Sequence, residues 1–296
     1  MLLVGTSNGL QDLESGEKFV DGMAVTALTP GGGDGWYALL DRRFVVRLDD
    51  DRGSTVPAAE LVESDGQSLA VLSDGTMVVG RTGARLAVID LRGEVRDVPA
   101  FQTVPNRDRW ENPAGPAPDT RSMAVGMDRW WVNVHVGGLW WSDNAGDSWH
   151  GAVEPEADVH EVRADKGGRV AVAAAAGFGW SEDDGESWSW TTDGLHAPYL
   201  RAVALDGDTA FVSASDGPFT RTGAVYRARI GSTFVRCESG LPEWFDDNVD
   251  SGHLDAAGGC VALGFGDNVY VSEDKGRTWQ ARLAPGLVTA LRFALD

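Results

Sequence analysis

Two cysteines, three lysines and no long apolar run set this 296-residue sequence apart by scarcity. Cys237 and Cys260 are too few for a disulfide framework and match no metal-ligand spacing, so both are expected to be plain buried thiols. Every basic side chain other than Lys18, Lys166 and Lys275 is arginine or histidine. A formal net charge of −20 repels phosphate backbones, which argues against broad nucleic-acid binding. Such a lysine-poor acidic surface suits a salt-rich cytoplasm, and it also occurs in proteins of GC-rich bacteria. No stretch approaches membrane-spanning length, so no membrane partner is expected. The opening residues, Met1-Leu-Leu-Val-Gly-Thr-Ser-Asn-Gly9, lack a basic segment and run straight into a strand-and-turn pattern. No secretory signal is therefore expected, and the cytoplasm is the expected compartment.

What is present is ample core material, with 43% hydrophobic residues and 12 tryptophans, and a repeat. Ser142-Asp-Asn-Ala-Gly-Asp-Ser-Trp149, Ser181-Glu-Asp-Asp-Gly-Glu-Ser-Trp188 and Ser272-Glu-Asp-Lys-Gly-Arg-Thr-Trp279 are copies of one octapeptide. Its chemistry is that of a tight hairpin: Asp or Asn bonds the turn backbone, Gly adopts a positive φ, and Trp plugs the gap between neighbouring sheets. Between the octapeptides run alternating apolar strands, such as Arg169-Val-Ala-Val-Ala-Ala174. Aligning the first strand of each unit gives equivalent positions near Thr26, Ser68, Ser122, His160, Arg201, Asp250 and Thr289, at intervals of 38 to 54 residues. That spacing is what four-stranded propeller blades require. The chain starts in mid-blade and ends after one strand, Val288-Thr-Ala-Leu-Arg-Phe-Ala-Leu295. The pattern predicts an all-β fold: a single seven-bladed β-propeller domain over residues 1–296, closed by the C-terminal strand completing the N-terminal blade.

In a propeller the first strands begin, and the second strands end, on one face around the central channel. First-strand starts bring Arg121, His160, Tyr199, Arg201 and Asp250 to this face, and second-strand ends bring Asp41, Arg42, Arg81 and His135. Two long connections, Phe101 to Asp119 and Gly240 to Asn248, hang over the same face. They carry Arg107, Arg109, Trp110 and Glu111 on one side, and Glu243, Trp244, Asp246 and Asp247 on the other. The expected ligand-binding residues are Arg42, Arg81, Trp110, Arg121, His135, His160, Tyr199, Arg201 and Trp244. Arginine grips a carboxylate or phosphate bidentately, and tryptophan stacks on a sugar ring. The alternative is that each arginine pairs with a neighbouring carboxylate and staples blades together. No cofactor or metal is expected, although the fold brings His135, His160 and His196 near enough to be the candidate ligands of one.

The octapeptides resemble the Asp-box, or bacterial neuraminidase repeat, whose pattern is Ser-x-Asp-x-Gly-x-Thr/Ser-Trp. Asn144 departs from it at the Asp position. In that family the boxes lie between third and fourth strands, remote from the ligand face. Its sialidases hold a substrate carboxylate with three arginines, which Arg42, Arg121 and Arg201 imitate, with Tyr199 as the face's tyrosine. The sialidases are six-bladed and carry a Phe/Tyr-Arg-Ile-Pro segment that is absent here. Two-propeller xyloglucanases use carboxylates across a cleft between domains. For glycoside hydrolysis the paired carboxyl groups would come from Glu111, Glu243, Asp246 or Asp250, with Tyr199 a further catalytic candidate. The photosystem II assembly-factor group, single seven-bladed Asp-box propellers with protein partners, is similar in blade number. The sequence is also similar to uncharacterised prokaryotic single-propeller proteins termed BNR-repeat glycosyl hydrolases, through Val132-Asn-Val-His-Val-Gly-Gly138 and Asp158-Val-His-Glu-Val162. The expected function is a monomeric binding propeller for a small anionic or carbohydrate-like ligand or a protein segment. Glycoside hydrolase and assembly scaffold are the alternatives.

Overall fold

The computed structural model describes residues 1–31, 35–49, 54–110, 115, 117–127 and 129–294. Its strands form seven four-stranded antiparallel sheets set around an axis. Blade 1 is assembled from both ends of the chain: Val288–Phe293 pairs with Leu2–Thr6, which pairs outward with Gly9–Asp12 and then Lys18–Asp21. Blades 2 to 7 each use four strands in chain order from the axis outward. Their inner strands are Val25–Pro30, Gly66–Val71, Thr120–Val125, Val159–Ala164, Val203–Asp206 and Leu254–Ala257. The last two begin after Arg201 and Asp250, so these two side chains stand on the segments leading into their strands. Among the described residues the only helical turns are short 3-10 turns, and no helix is long and apolar enough to cross a membrane.

Burial falls from the axis outward, and the sequence follows it. Second strands such as Val170–Ala174 are buried along their whole length between neighbouring blades, which accounts for their unbroken apolar runs of small side chains. Outer strands such as Val95–Asp97 and Ser189–Thr191 are mostly exposed and polar. Cys237 is buried, whereas Cys260 is half-buried, against the expectation that both would be enclosed.

The octapeptides form the turns between third and fourth strands, with one hydrogen-bond pattern. The first serine hydroxyl donates to Oδ1 of Asn144, Asp183 or Asp274 at 3.0, 2.7 and 2.8 Å. It also accepts the amide of Gly146, Gly185 or Gly276 at 3.0, 2.8 and 2.9 Å. The same Oδ1 accepts the amide of Ser148, Ser187 or Thr278. Asn144 therefore does the structural work of an aspartate, because the turn needs one carbonyl-type acceptor and no charge. Each tryptophan folds back over its turn, its indole N–H donating to the glycine carbonyl. Trp149 and Trp279 are buried, while Trp188 is half-buried and packs edge-on against Trp131 of the preceding blade, 6.3 Å away.

Glycine in this turn also seats a side chain of the neighbouring blade. Gly185 lies at φ +85°, and a Cβ there would stand 2.2 Å from the Trp131 ring; one at Gly276 would stand 3.0 Å from Phe211. Trp131 is wholly buried in this socket. Trp131→Ala is accordingly expected to lower the unfolding free energy by about 3–5 kcal/mol in a urea titration. A loss below about 1 kcal/mol would show that the blades do not interlock through this contact.

Candidate functional site

A β-bulge recurs near the start of the inner strands. The register shifts at Thr26, Gln67, Arg121, His160 and Thr289, each leaving one extra residue on the inner strand. Bulges re-aim side chains, and four of these five side chains line one central cavity; His160 is instead wholly buried behind it. In blade 6, Arg201 reaches the same level from just before its strand, its amide and that of Ala202 both donating to Ser213 Oγ.

The cavity encloses about 410 Å³ and is lined by four arginines, Arg121, Arg163, Arg201 and Arg292, against three carboxylates, Asp119, Glu161 and Asp250. In a chain of net charge −20 this is a positively balanced well. At its mouth Asp250 sits between Arg121 and Arg201. Arg121 donates to Asp250 Oδ1 and, at 3.2 Å, to Ser251 Oγ. Arg201 donates to Asp250 Oδ2 at 3.3 Å and to the Tyr199 hydroxyl at 3.4 Å. Burial would raise the Asp250 pKa, but the two guanidiniums overcome it and hold the carboxyl down at about 2. Asp119 moves the opposite way, raised by burial that the charges of Arg42 and Arg121 only partly offset. Burial, aided by the nearby Arg121, lowers His135 to about 4, so it is neutral near pH 7. Arg201 Nε is buried without a hydrogen-bond partner among the described residues.

Below this level the charges serve the scaffold. Glu161 is buried and accepts the amides of Val203 and Gly252, and Arg163 donates to the carbonyls of Val203 and Leu254. The two pair with each other at 2.9 Å. Burial raises Glu161 and, together with Arg163, lowers Arg292 to about 10. Arg163 and Arg292 also line a second cavity, of about 560 Å³, that lies further along the channel, so these side chains border both.

Arg121, His135, His160, Tyr199, Arg201 and Asp250 thus meet at one end of the channel, with the His160 ring 6.0 Å from His135 and 4.7 Å from Tyr199. Other expected site residues lie elsewhere. Arg81 is buried in an ion-pair cluster with Asp97 of its own blade and with Glu63 and Asp65 of the connection leading into it, and does not line the cavity. Arg42 is exposed at the rim and bridges blades 2 and 3 through Gly66 O and Thr82 Oγ1, so the imagined three-arginine grip reduces to Arg121 and Arg201. Trp110 is core, packed on Trp140 and Phe101 beneath the Arg107 guanidinium, and offers no stacking face. Trp244 packs against His196 and Arg236 away from the cavity, and His196 bonds the Tyr226 hydroxyl rather than joining the other histidines. Glu243 and Asp246 are exposed and do not line the cavity. Glu111 lies outside the described residues.

The sequence reading missed Asp119 and Asp158. A signal for both exists: Asp65, Asp119 and Asp158 each stand two residues before a bulged position.

No protein-family model and no curated protein matches the chain. Solved structures do match its fold. The GH74 xyloglucanase from Xanthomonas campestris aligns with a TM-score of 0.63 at 17% identity, over 96% of this chain and 47% of that one. The WD40 repeats of RRP9 align at 0.61 and 13% identity, over 99% and 89%. YCF48 bound to a D1 peptide aligns at 0.56 and 14%, over 87% and 81%. An enzyme, a WD40 protein and a peptide-bound protein share this architecture, and at such identities the likeness establishes the fold alone.

The Asp250 shift has a pH consequence. Its folded pKa, about 2, lies below its ordinary 3.8, so its contribution to stability is full above about pH 4 and disappears as pH falls toward 2. The unfolding free energies of the wild type and Asp250→Asn from urea titrations should differ by a constant amount above pH 4, on the order of 1 kcal/mol because solvent screens a partly open pair, and converge below it. A difference that persists undiminished at pH 2 would contradict the assignment.

Proposed function

We propose that the protein is an Asp-box propeller that binds a small anionic ligand at the mouth of its channel, held by Arg121 and Arg201 with His135 alongside. The observation that carries this reading is the arginine-rich cavity inside a strongly acidic chain. Arg163 is occupied by main-chain carbonyls, whereas among the described residues the guanidiniums of Arg121 and Arg201 bond side chains only. Arginines committed to side chains can exchange an internal carboxylate for an external one without breaking the backbone. A protein segment presenting a carboxylate would use the same two guanidiniums, so the shared chemistry is recognition of an anion.

A second reading is glycoside hydrolysis, favoured by one observation. Asp119 is raised and Asp250 lowered within one cavity, the divergence that lets one carboxyl act as acid and the other as base or nucleophile. Turnover of a fluorogenic glycoside that disappears in Asp119→Asn would support it over the binding reading.

For the leading reading, thermal-shift titration with phosphate, citrate and sugar acids is expected to stabilise the chain in a concentration-dependent way. Arg121→Met and Arg201→Met should each weaken the best anion by about 10- to 100-fold, the value of a charge-assisted hydrogen-bonded pair. If only peptides bearing a carboxylate stabilise the wild type, the ligand is a protein segment. If no anion of either kind does, the proposal fails.

A further inference from the structure

We propose that His135, Asp158 and His160 form a binding site for one divalent transition-metal ion of the zinc class. Their donor atoms all lie within 4.8 Å of one another. His160 Nε2 stands 3.4 Å from Asp158 Oδ2, and His135 Nε2 stands 3.8 Å from Asp158 Oδ1. Around a four-coordinate ion with bonds of about 2.0–2.1 Å, neighbouring donors are about 3.3 Å apart, so small side-chain rotations close the set.

The surroundings of His160 give a second, geometric argument. The ring is wholly buried, and its Nδ1 lies 2.6 Å from the Leu200 carbonyl oxygen. A carbonyl can only accept, so Nδ1 carries a hydrogen and Nε2 is the ring atom that faces Asp158. His160 Nε2 and Asp158 Oδ1 are both buried without a hydrogen-bond partner among the described residues. A divalent ion placed between the two residues would give both of these buried atoms a partner. A far-side hydrogen bond from the imidazole to a main-chain carbonyl is also the device that orients a metal-ligating histidine and raises its basicity.

The donor set narrows the ion. Two imidazoles with one carboxylate suit zinc and its transition-metal neighbours, whereas magnesium and calcium take oxygen sets. Three protein donors leave a coordination position for solvent or a ligand, and His135 lines the central cavity, so the site communicates with the channel. The sequence reading expected no metal and offered His196 beside the other two histidines; the structure supplies Asp158 as the third donor instead.

The inference stands apart from the anion reading, because zinc alone is the probe. The full chain, stripped with a chelator and titrated with Zn²⁺ by calorimetry, is expected to take up one ion with an affinity reduced at least about tenfold in Asp158→Asn and in His135→Gln. Co²⁺ in place of zinc should give visible absorption characteristic of a low-coordinate nitrogen and oxygen site, lost in the same variants. His160→Gln removes a buried side chain, so the two half-buried positions decide the matter should that variant fail to fold. The proposal is overturned by a stripped chain that takes up neither ion, by zinc affinity unchanged in Asp158→Asn and His135→Gln, or by uptake of Mg²⁺ or Ca²⁺ in preference to zinc.

Discussion

The inner strand of every blade has one edge that no strand covers. Each pairs with the second strand of its own blade and faces the axis with its remaining amides and carbonyls. A buried main-chain group left without a partner is destabilising by about 1–3 kcal/mol, so seven open edges around a narrow channel must be satisfied by side chains. The structure meets this requirement from blade to blade. Thr289 donates to Val25 O and Ser68 to Thr120 O, while Ser122 accepts the amide of Val162, Glu161 that of Val203 and Asp255 that of Phe293. Ser213 and Ser251 do the same for Val249, His160 and Arg201. Ring closure therefore depends on polar residues at the axis, where a globular core would place apolar ones.

This constraint sorts the charges of the channel. A side chain bound to main chain, as Glu161 and Arg163 are, belongs to the scaffold, and its removal would strand a backbone group as well as a charge. Arg121 and Arg201 are different in kind. Their partners among the described residues are the side chains of Ser251, Asp250 and Tyr199. Chemistry can be placed there without loosening the ring, because the bulges turn side chains into the cavity while the strands beneath stay fixed.

Much of this was legible in the sequence. The octapeptides and strand spacing carry the blade count and the closure of blade 1 by Val288–Phe293, because turn chemistry and strand length are local properties. Alignment of first strands also brings Arg121, His160 and Arg201 to one end, since a shift of a residue or two does not move a strand start to the opposite face. What failed were inferences about partners. Arg81 looks like Arg121 in sequence, but Glu63, Asp65 and Asp97 converge on it only in the folded sheet. Trp110 sits on a loop that turns inward through the 3-10 turns Pro99–Thr103 and Arg107–Arg109 and fills a space between blades 3 and 4. Asp158 escaped notice because the role proposed for it comes from facing two histidines, one of them on another blade.

Asp250 has a place in the logic of the mouth beyond pairing charges. Two guanidiniums converging on a cavity with no anion would repel each other, and the carboxylate between them keeps both oriented. On the proposed reading, an incoming anion meets arginines already aimed at an oxygen pair but must share or displace the internal one. Preorganisation lowers the entropic cost of binding, whereas competition from Asp250 subtracts from the gain. A monodentate or weakly charged ligand gains little under those terms. The arrangement therefore favours anions that can engage both guanidiniums at once, so that selectivity comes from the internal competitor as much as from the arginines themselves.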